Sequence, residues 1–303
     1  MPKRIARLEV RAFSERLYHV LGKDPTVEIL GDIFQFTEGP VWNSTNESLL
    51  FTNIPASRIY QWTERNAFSV FRHFTNMANG LAYDRDGRLL ACEHATNALV
   101  RIESNGHRVV LASSYDGKQL NSPNDVVVAN DGRIFFTDPM YGRMAGEWGI
   151  ERPAELSFRG VYVLDPILAD LTLVADDFDA PNGLCLSRDE RVLFVNDSER
   201  LHIRVFDVHE DGRVVGGKVW AKTEGKDEGS PDGMKIDVEG NVYCCGPGGI
   251  HVFDECAKCL GIILLPPIVA NFTFGGRNLS DLFVTATNRV YRIGVGIPGW
   301  VQP

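Results

Sequence analysis

The chain is poor in the features that mark several large classes of protein. Six cysteines in 303 residues, at positions 92, 185, 244, 245, 256 and 259, are too few and too irregularly placed for a disulfide framework. No run of Lys or Arg occurs, and 31 basic residues stand against 40 acidic ones, a formal net charge of −9. Such a surface repels phosphate backbones and argues against nucleic acid as a partner. The longest apolar stretch, Gly261 to Val269, is too short to cross a bilayer and holds Pro266 and Pro267. No apolar run follows the opening Met1-Pro2-Lys3-Arg4, so the expectation is a soluble, cytoplasmic protein with no membrane partner. The Asn-x-Ser/Thr triplets at Asn43 and Asn271 are then chance matches. Also missing are a Gly-x-Ser-x-Gly elbow and a His-Glu-x-x-His helix, the marks of a serine nucleophile and of a zinc protease.

What is present is ordinary in bulk and unusual in pattern. Apolar residues make up 44% and charged residues 23%, which excludes disorder or a fibrous repeat for the whole chain. One unit recurs: a polar residue, usually followed by Gly or Asp, then an alternating strand, a turn, a second strand and another polar residue. Its copies run from Glu38 to Asn53, Asn79 to Glu93, Asn124 to Asp138, Asn182 to Asp197, Asp232 to Cys245 and, less clearly, Asn271 to Thr285. The leading residues lie 41, 45, 58, 50 and 39 positions apart. Spacings of that size with several strands per unit mark β-propeller blades. Asp86-Gly87, Asp131-Gly132 and Glu239-Gly240 supply hairpin turns, and the apolar alternation has period two throughout.

The pattern predicts an all-β, six-bladed propeller over residues 26–303. A lead segment, residues 1–25, precedes it with one short helix near Ala12 to Leu21. The last repeat supplies three strands and Thr26 to Leu30 is the natural fourth, closing the ring. No linker of changed composition interrupts the repeats, which argues against two domains.

In a propeller the start of each innermost strand faces the central channel. Glu38, Asn79, Asn124, Asn182, Asp232 and Asn271 are therefore brought together at one mouth. Single Asn-Gly and Asp-Gly pairs commonly do no more than turn a chain. Six oxygen-bearing side chains at one equivalent position go further, because two carboxylates among amides suit a hard divalent cation such as Ca²⁺, Mg²⁺ or Mn²⁺. Zn²⁺ usually prefers nitrogen and sulfur but also takes mixed oxygen sites.

The motifs Glu38-Gly-Pro-Val-Trp42, Ser122-Pro-Asn-Asp125, Phe136-Thr-Asp-Pro139, Pro181-Asn-Gly-Leu184, Ser230-Pro-Asp-Gly-Met234 and Thr273-Phe-Gly-Gly276 occur in order. Together they resemble the gluconolactonase/senescence-marker-protein/luciferin-regenerating-enzyme family over about Val27 to Ile293. Glu93-His94 and Glu155-Leu156 with Gly160-Val-Tyr-Val163 bring the chain nearest the bacterial gluconolactonase branch.

The resemblance implies one divalent metal in the channel, Ca²⁺ first and Zn²⁺, Mg²⁺ or Mn²⁺ as alternatives. Its ligands would be Glu38, Asn182 and Asp232, with Asn124 beside it touching metal or substrate. The implied reaction is hydrolysis of a small-molecule sugar lactone to the aldonate, with Asp232 as general base. His94 at the end of a strand, and Tyr141 and Arg143 in the insertion Met140 to Leu156, are candidate substrate contacts. That insertion reads as a lid or pocket wall. Some lactonases of the family carry an Arg after the second-blade site, where this chain reads Ala95-Thr-Asn97. A phosphotriesterase-like hydrolase and a non-catalytic binding propeller are the competing readings.

Two further patterns fail on context. Gly294-Val-Gly-Ile-Pro-Gly299 has dinucleotide-loop spacing, but Pro298 stands where a helix should start. Cys256-Ala-Lys-Cys259 has no second cysteine pair at zinc-ribbon spacing. Cys244 and Cys245 fall in a strand and read as core.

Overall fold

The computed structural model of the chain describes residues 4–300. Six antiparallel sheets of four or more strands follow one another along the chain and are the blades, and a small hairpin of Ser114–Tyr115 with Lys118–Gln119 lies between the second and third. Blade 1 comprises Thr37–Asn43, Ser48–Asn53, Arg58–Thr63 and Ala67–His73. Blade 2 comprises Ala78–Tyr83, Leu89–Glu93, Ala98–Ile102 and Arg108–Ala112. Blade 3 begins at Val126–Val128 and continues through Ile134–Asp138, Gly160–Asp165 and Asp170–Ala175. Blade 4 runs from Pro181–Leu186 to Val214–Lys222, blade 5 from Met234–Asp237 to Cys259–Leu264, and blade 6 from Asn271–Gly275 to Arg289–Gly294. The first strands of the six blades pack side by side around one axis, with Asn271–Gly275 returning against Thr37–Asn43. The all-β, six-bladed architecture expected from the repeats is the one observed.

Burial follows from position in the ring. All six residues of Ser48–Asn53 are buried, because a second strand is covered by both flanking blades. The outermost Ala67–His73 alternates exposed and half-buried, as a rim strand should. The described core divides into six apolar clusters, each filling one seam between adjacent blades. Trp42, Phe51 and Trp62 meet Phe283 in the seam between blades 1 and 6, where Trp42 stacks on Phe283 at 5.0 Å.

The lead segment is more strand-rich than its sequence indicates. Arg16–Leu21 is the helix, shorter than expected, and it buries Leu17, Val20 and Leu21 in the seam between blades 5 and 6. Glu9–Ala12 pairs with the outer edge of blade 5. Thr26–Gly31 pairs with Arg289–Gly294 as the fourth strand of blade 6, and Arg4–Arg7 pairs beyond it. Burial of an outer edge by extra strands leaves fewer unpaired backbone groups on the rim.

Gly294 ends its strand, and Gly299–Trp300 pairs with Ile236 and Asp237 rather than opening a helix. All six cysteines are free thiols. Cys244 and Cys245 are buried in adjacent seams and Cys256 is exposed. Among the described residues no helix is long and apolar enough to cross a membrane.

Candidate active site at the channel mouth

The leading polar residues stand where a strand bulges. Between Glu38 and Val41, Ala78 and Leu81, and Pro181 and Leu184, the first strand carries one residue more than its partner. A bulge re-aims a side chain, and in blades 1, 2 and 4 it falls at the polar-Gly pair. The glycine has a separate cause. A Cβ on Gly183 would stand 2.0 Å from the backbone oxygen of Asp232, and one on Gly39, whose φ is +50°, 2.0 Å from that of Asn79. Each first strand thus slides against the lead residue of the next blade, and only glycine leaves room. Side chains then fasten the lead residues in place. Thr137 Oγ1 donates to the Asn182 carbonyl at 2.8 Å, and Asn196 Nδ2 to the Asp232 carbonyl at 2.5 Å.

The polar residues that close each repeat do different work. Asp138 accepts the backbone N–H groups of Asn121 and Ser122 at 2.8 and 2.7 Å. Asp197 accepts those of Asp179 and Ala180 at 2.8 and 3.1 Å. Asn53 accepts the N–H of Phe36 at 3.2 Å. Each pins the loop that delivers its own blade's lead residue to the mouth.

At the mouth the structure brings Glu38, Asn182, Asp232 and Asn271 into contact. Glu38 accepts the N–H of Gly39 and the Asn271 amide, the latter at 3.0 Å. Asp232 is in hydrogen-bonding contact with Glu38 and with the Asn182 amide. A second N–H of that amide goes to Ser198 Oγ at 3.1 Å, which leaves the Asn182 oxygen as its remaining ligand atom.

Burial pushes the Glu38 carboxyl up to about 7, with the Asp125 charge adding to the rise. Asp232 is pushed well above the usual carboxylate range, first by burial and then by the charges of Glu38 and Asp125. Asp125 occupies the slot that the other bulged repeats fill with Gly. It is buried, its Oδ1 accepts the N–H of Val126 at 2.9 Å, and the Asn271 amide and the Leu184 N–H also face the carboxylate. Asn124 is buried at the same ring position, its backbone clamped to Thr137 and Gly80 at 2.8 Å each.

This donor set fits a hard cation. Two carboxylates in contact repel one another, and the buried Asn79 Oδ1 stands without a partner. Among the described residues no three His, Cys, Asp or Glu side chains converge, so any ion here would be held by two carboxylates completed with amide oxygens.

The candidate substrate contacts are placed unevenly. Tyr141 is in hydrogen-bonding contact with Ser198 and near Asp232, and burial raises its phenol to about 12. It is part of the site wall. His94 is buried behind the ring. Its Nδ1 donates to the Trp148 carbonyl at 2.7 Å, since a carbonyl only accepts, so Nε2 takes the Asn79 amide proton at 3.2 Å. Burial lowers the imidazole to about 4 and keeps it neutral. The Arg143 guanidinium is spent on the carbonyls of Asn121, Leu120 and Pro153 and on Gln119. Arg152 likewise binds the carbonyls of His94, Gly142 and Ile150. The insertion is therefore a pinned wall, and Arg143 fastens it from beneath.

Sequence reasoning missed Asp125, Ser198 and Arg152. Asp125 was readable as the one acidic residue in a slot that blades 1, 2, 4 and 5 fill with Gly and blade 6 with Phe272. Ser198 and Arg152 carry no motif of their own, because part of what each binds, the Pro231 carbonyl and the His94 carbonyl, belongs to a different blade.

The SMP-30/Gluconolactonase/LRE-like region model matches residues 36–288. The gluconolactonase of Zymomonas mobilis is 32% identical, over 94% of this chain and 85% of its own. Bos taurus regucalcin is 31% identical, over 88% of this chain and 86% of its own. A solved gluconolactonase from Xanthomonas campestris superposes with a TM-score of 0.89 at 32% identity, covering 97% of each chain. The chain belongs to the SMP-30/gluconolactonase/LRE-like family.

Proposed function

We propose that this chain is a lactonase that opens a sugar lactone to its aldonate at the channel mouth, with a divalent metal as cofactor. The observation that carries the reading is the contact of buried Glu38 with half-buried Asp232, flanked by Asn182, within a fold shared with gluconolactonases of similar length. Glu38, Asn182 and Asp232 would hold the ion, with Asn124 beside it. An all-oxygen donor set favours Ca²⁺ over Zn²⁺, with Mg²⁺ and Mn²⁺ as hard alternatives. When bound, such an ion supplies Lewis-acid polarisation of an ester carbonyl.

The chain's own groups do the rest. The raised proton affinity of Asp232 suits it to take a proton from the attacking water and to return it to the departing ring oxygen. The water oxygen bonds to the carbonyl carbon, the ring C–O bond breaks, and a hydroxy acid leaves. Asn124 and Tyr141 contact the sugar in this reading. His94 acts by holding Asn79, and Arg143 by fixing the wall that carries Tyr141. The same reading takes Thr26–Gly31, paired on blade 6, as the strand that closes the ring.

The test is hydrolysis of D-glucono-1,5-lactone by chelator-treated protein, with Ca²⁺, Mg²⁺, Mn²⁺ or Zn²⁺ restored singly and the spontaneous rate subtracted. Metal-restored turnover supports the reading. Preference for phosphotriesters under matched metal would replace it with a phosphotriesterase. Folded protein inert to both substrate classes would leave a binding propeller.

A further inference from the structure

Three residues beyond the lead residues, the first strands present a second ring of equivalent positions: Val41, Ala82, Val127, Cys185, Lys235 and Phe274. All six line one cavity of about 470 Å³, to which no lead residue contributes. It lies at the far end of the channel from the mouth. Five of the six are apolar, and Trp300, paired beside Ile236, adds an indole to the wall. Lys235 is the exception, a half-buried lysine in an apolar ring. It donates to the Met234 carbonyl at 2.9 Å, and among the described residues no carboxylate forms an ion pair with it. Glu38 and Asp125 act on it only through space, from the ring above. The other charged groups on the wall are engaged, Asp84 with Arg88 at 2.7 Å and Arg85 with Asn130 at 2.5 Å. Outside blade 5, each first strand is hydrogen-bonded on one side only, so its inner edge turns backbone N–H groups toward the channel.

We propose that the far end of the channel is a second ligand site, one that takes a small organic carboxylate with an apolar body and anchors it on Lys235. A charge facing an apolar wall is costly unless a counter-charge meets it. One ammonium matches one negative charge, and it keeps two N–H groups beyond the one given to Met234. The five apolar positions suit hydrocarbon and disfavour a strongly hydrated dianion such as phosphate. A space of this size accommodates an organic molecule rather than a lone inorganic ion. The site lies outside the lactonase reading and does not depend on it, since none of the groups assigned to the reaction lines the cavity.

The experiment is calorimetric titration of 2-naphthoate into wild type, Lys235→Met, Lys235→Arg and Asp232→Asn, each shown to be folded by circular dichroism. Octanoate serves as a second carboxylate and 2-naphthamide as the neutral match. Wild type should bind the acids saturably at one site and the amide about ten-fold more weakly or worse, the scale of one charge-assisted hydrogen bond. Lys235→Met should bring the acid down to the affinity of the amide, and Lys235→Arg should restore most of the difference. Asp232→Asn, at the mouth, should leave naphthoate affinity within about two-fold, as expected of distant sites. A lysine that merely fills space leaves acid and amide bound alike. Equal affinity for the two, or binding lost in Asp232→Asn and kept in Lys235→Met, overturns the proposal. So does wild type that takes up neither carboxylate. Should Lys235→Met not fold, Ala82→Phe fills the cavity while keeping the lysine and must abolish uptake, and undiminished binding there overturns the proposal equally. Every readout is independent of turnover, so a failed lactonase reading leaves each of these outcomes decisive.

Discussion

Asp138 and Asp232 are carboxylates of the same kind set at strand ends of one propeller, and burial raises both, Asp138 to about 7. Their neighbours differ. Asp138 accepts two backbone N–H groups and lies near the Arg143 charge, so its oxygens are matched by donors. Asp232 faces a second carboxylate, Glu38, and its surroundings leave a deficit of positive charge. Burial alone therefore does not separate a structural acid from a reactive one. The partners do, because a matched carboxylate has nothing left to give a ligand or a proton.

The sharpest way to break this comparison is to neutralise each acid in turn. Asp232→Asn should lower lactonase turnover by about a thousand-fold or more, the scale of losing a general base together with a ligand. The metal-free variant should be more stable than wild type by about 1 kcal/mol, since a buried like-charge contact is relieved. Thermal melts beside initial rates check both signs. Loss of stability on Asp232→Asn would erase the distinction drawn from Asp138.

Asp138→Ala should act in the opposite sense. It strands the N–H groups of Asn121 and Ser122 and should cost about 3 kcal/mol, read by urea denaturation, while the protein that remains folded keeps its KM. Arg143→Met sharpens the same side of the comparison. It frees three carbonyls beneath the insertion, with an expected cost of about 2 kcal/mol and faster proteolysis within Met140 to Leu156.

The smallest effect belongs to His94. Its folded imidazole titrates at about 4 against an ordinary 6.5, so between those values the unfolded chain binds the extra proton. Stability from this group is present above pH 6.5 and is lost as pH falls toward 4. His94→Gln should flatten the stability profile in that window while keeping a partner for Asn79. An unchanged slope would show that the imidazole is not held neutral by burial.

Much of the architecture was legible in the sequence. Blade boundaries follow from local signals: period-two alternation, turn glycines and the polar residue that leads each repeat. Glu38, Asn182 and Asp232 were legible as ring members because repetition places equivalent positions around one axis. The strands Arg4–Arg7 and Glu9–Ala12 were not, since four-residue segments carry little pattern and the partner of Glu9–Ala12 lies at Gly261 to Leu264, far along the chain. Nor was the division of labour among the ring's amides. Asn79 and Asn271 look alike in their repeats, yet one is held by a histidine and the other donates to Glu38.

The sequence by itself determined the repeat, the blade count and the chemical type of side chain presented at the mouth, because these depend on residues near one another along the chain. Only the tertiary structure decided which of those side chains are satisfied and which are left facing one another. Trp148 reaches His94 from blade 3, Asn271 donates to Glu38 from blade 6, and Asn182 meets Asp232 across a seam. The physical reason is that a hydrogen bond or a field depends on distance through space, and six strands meeting at one axis put remote residues within its range.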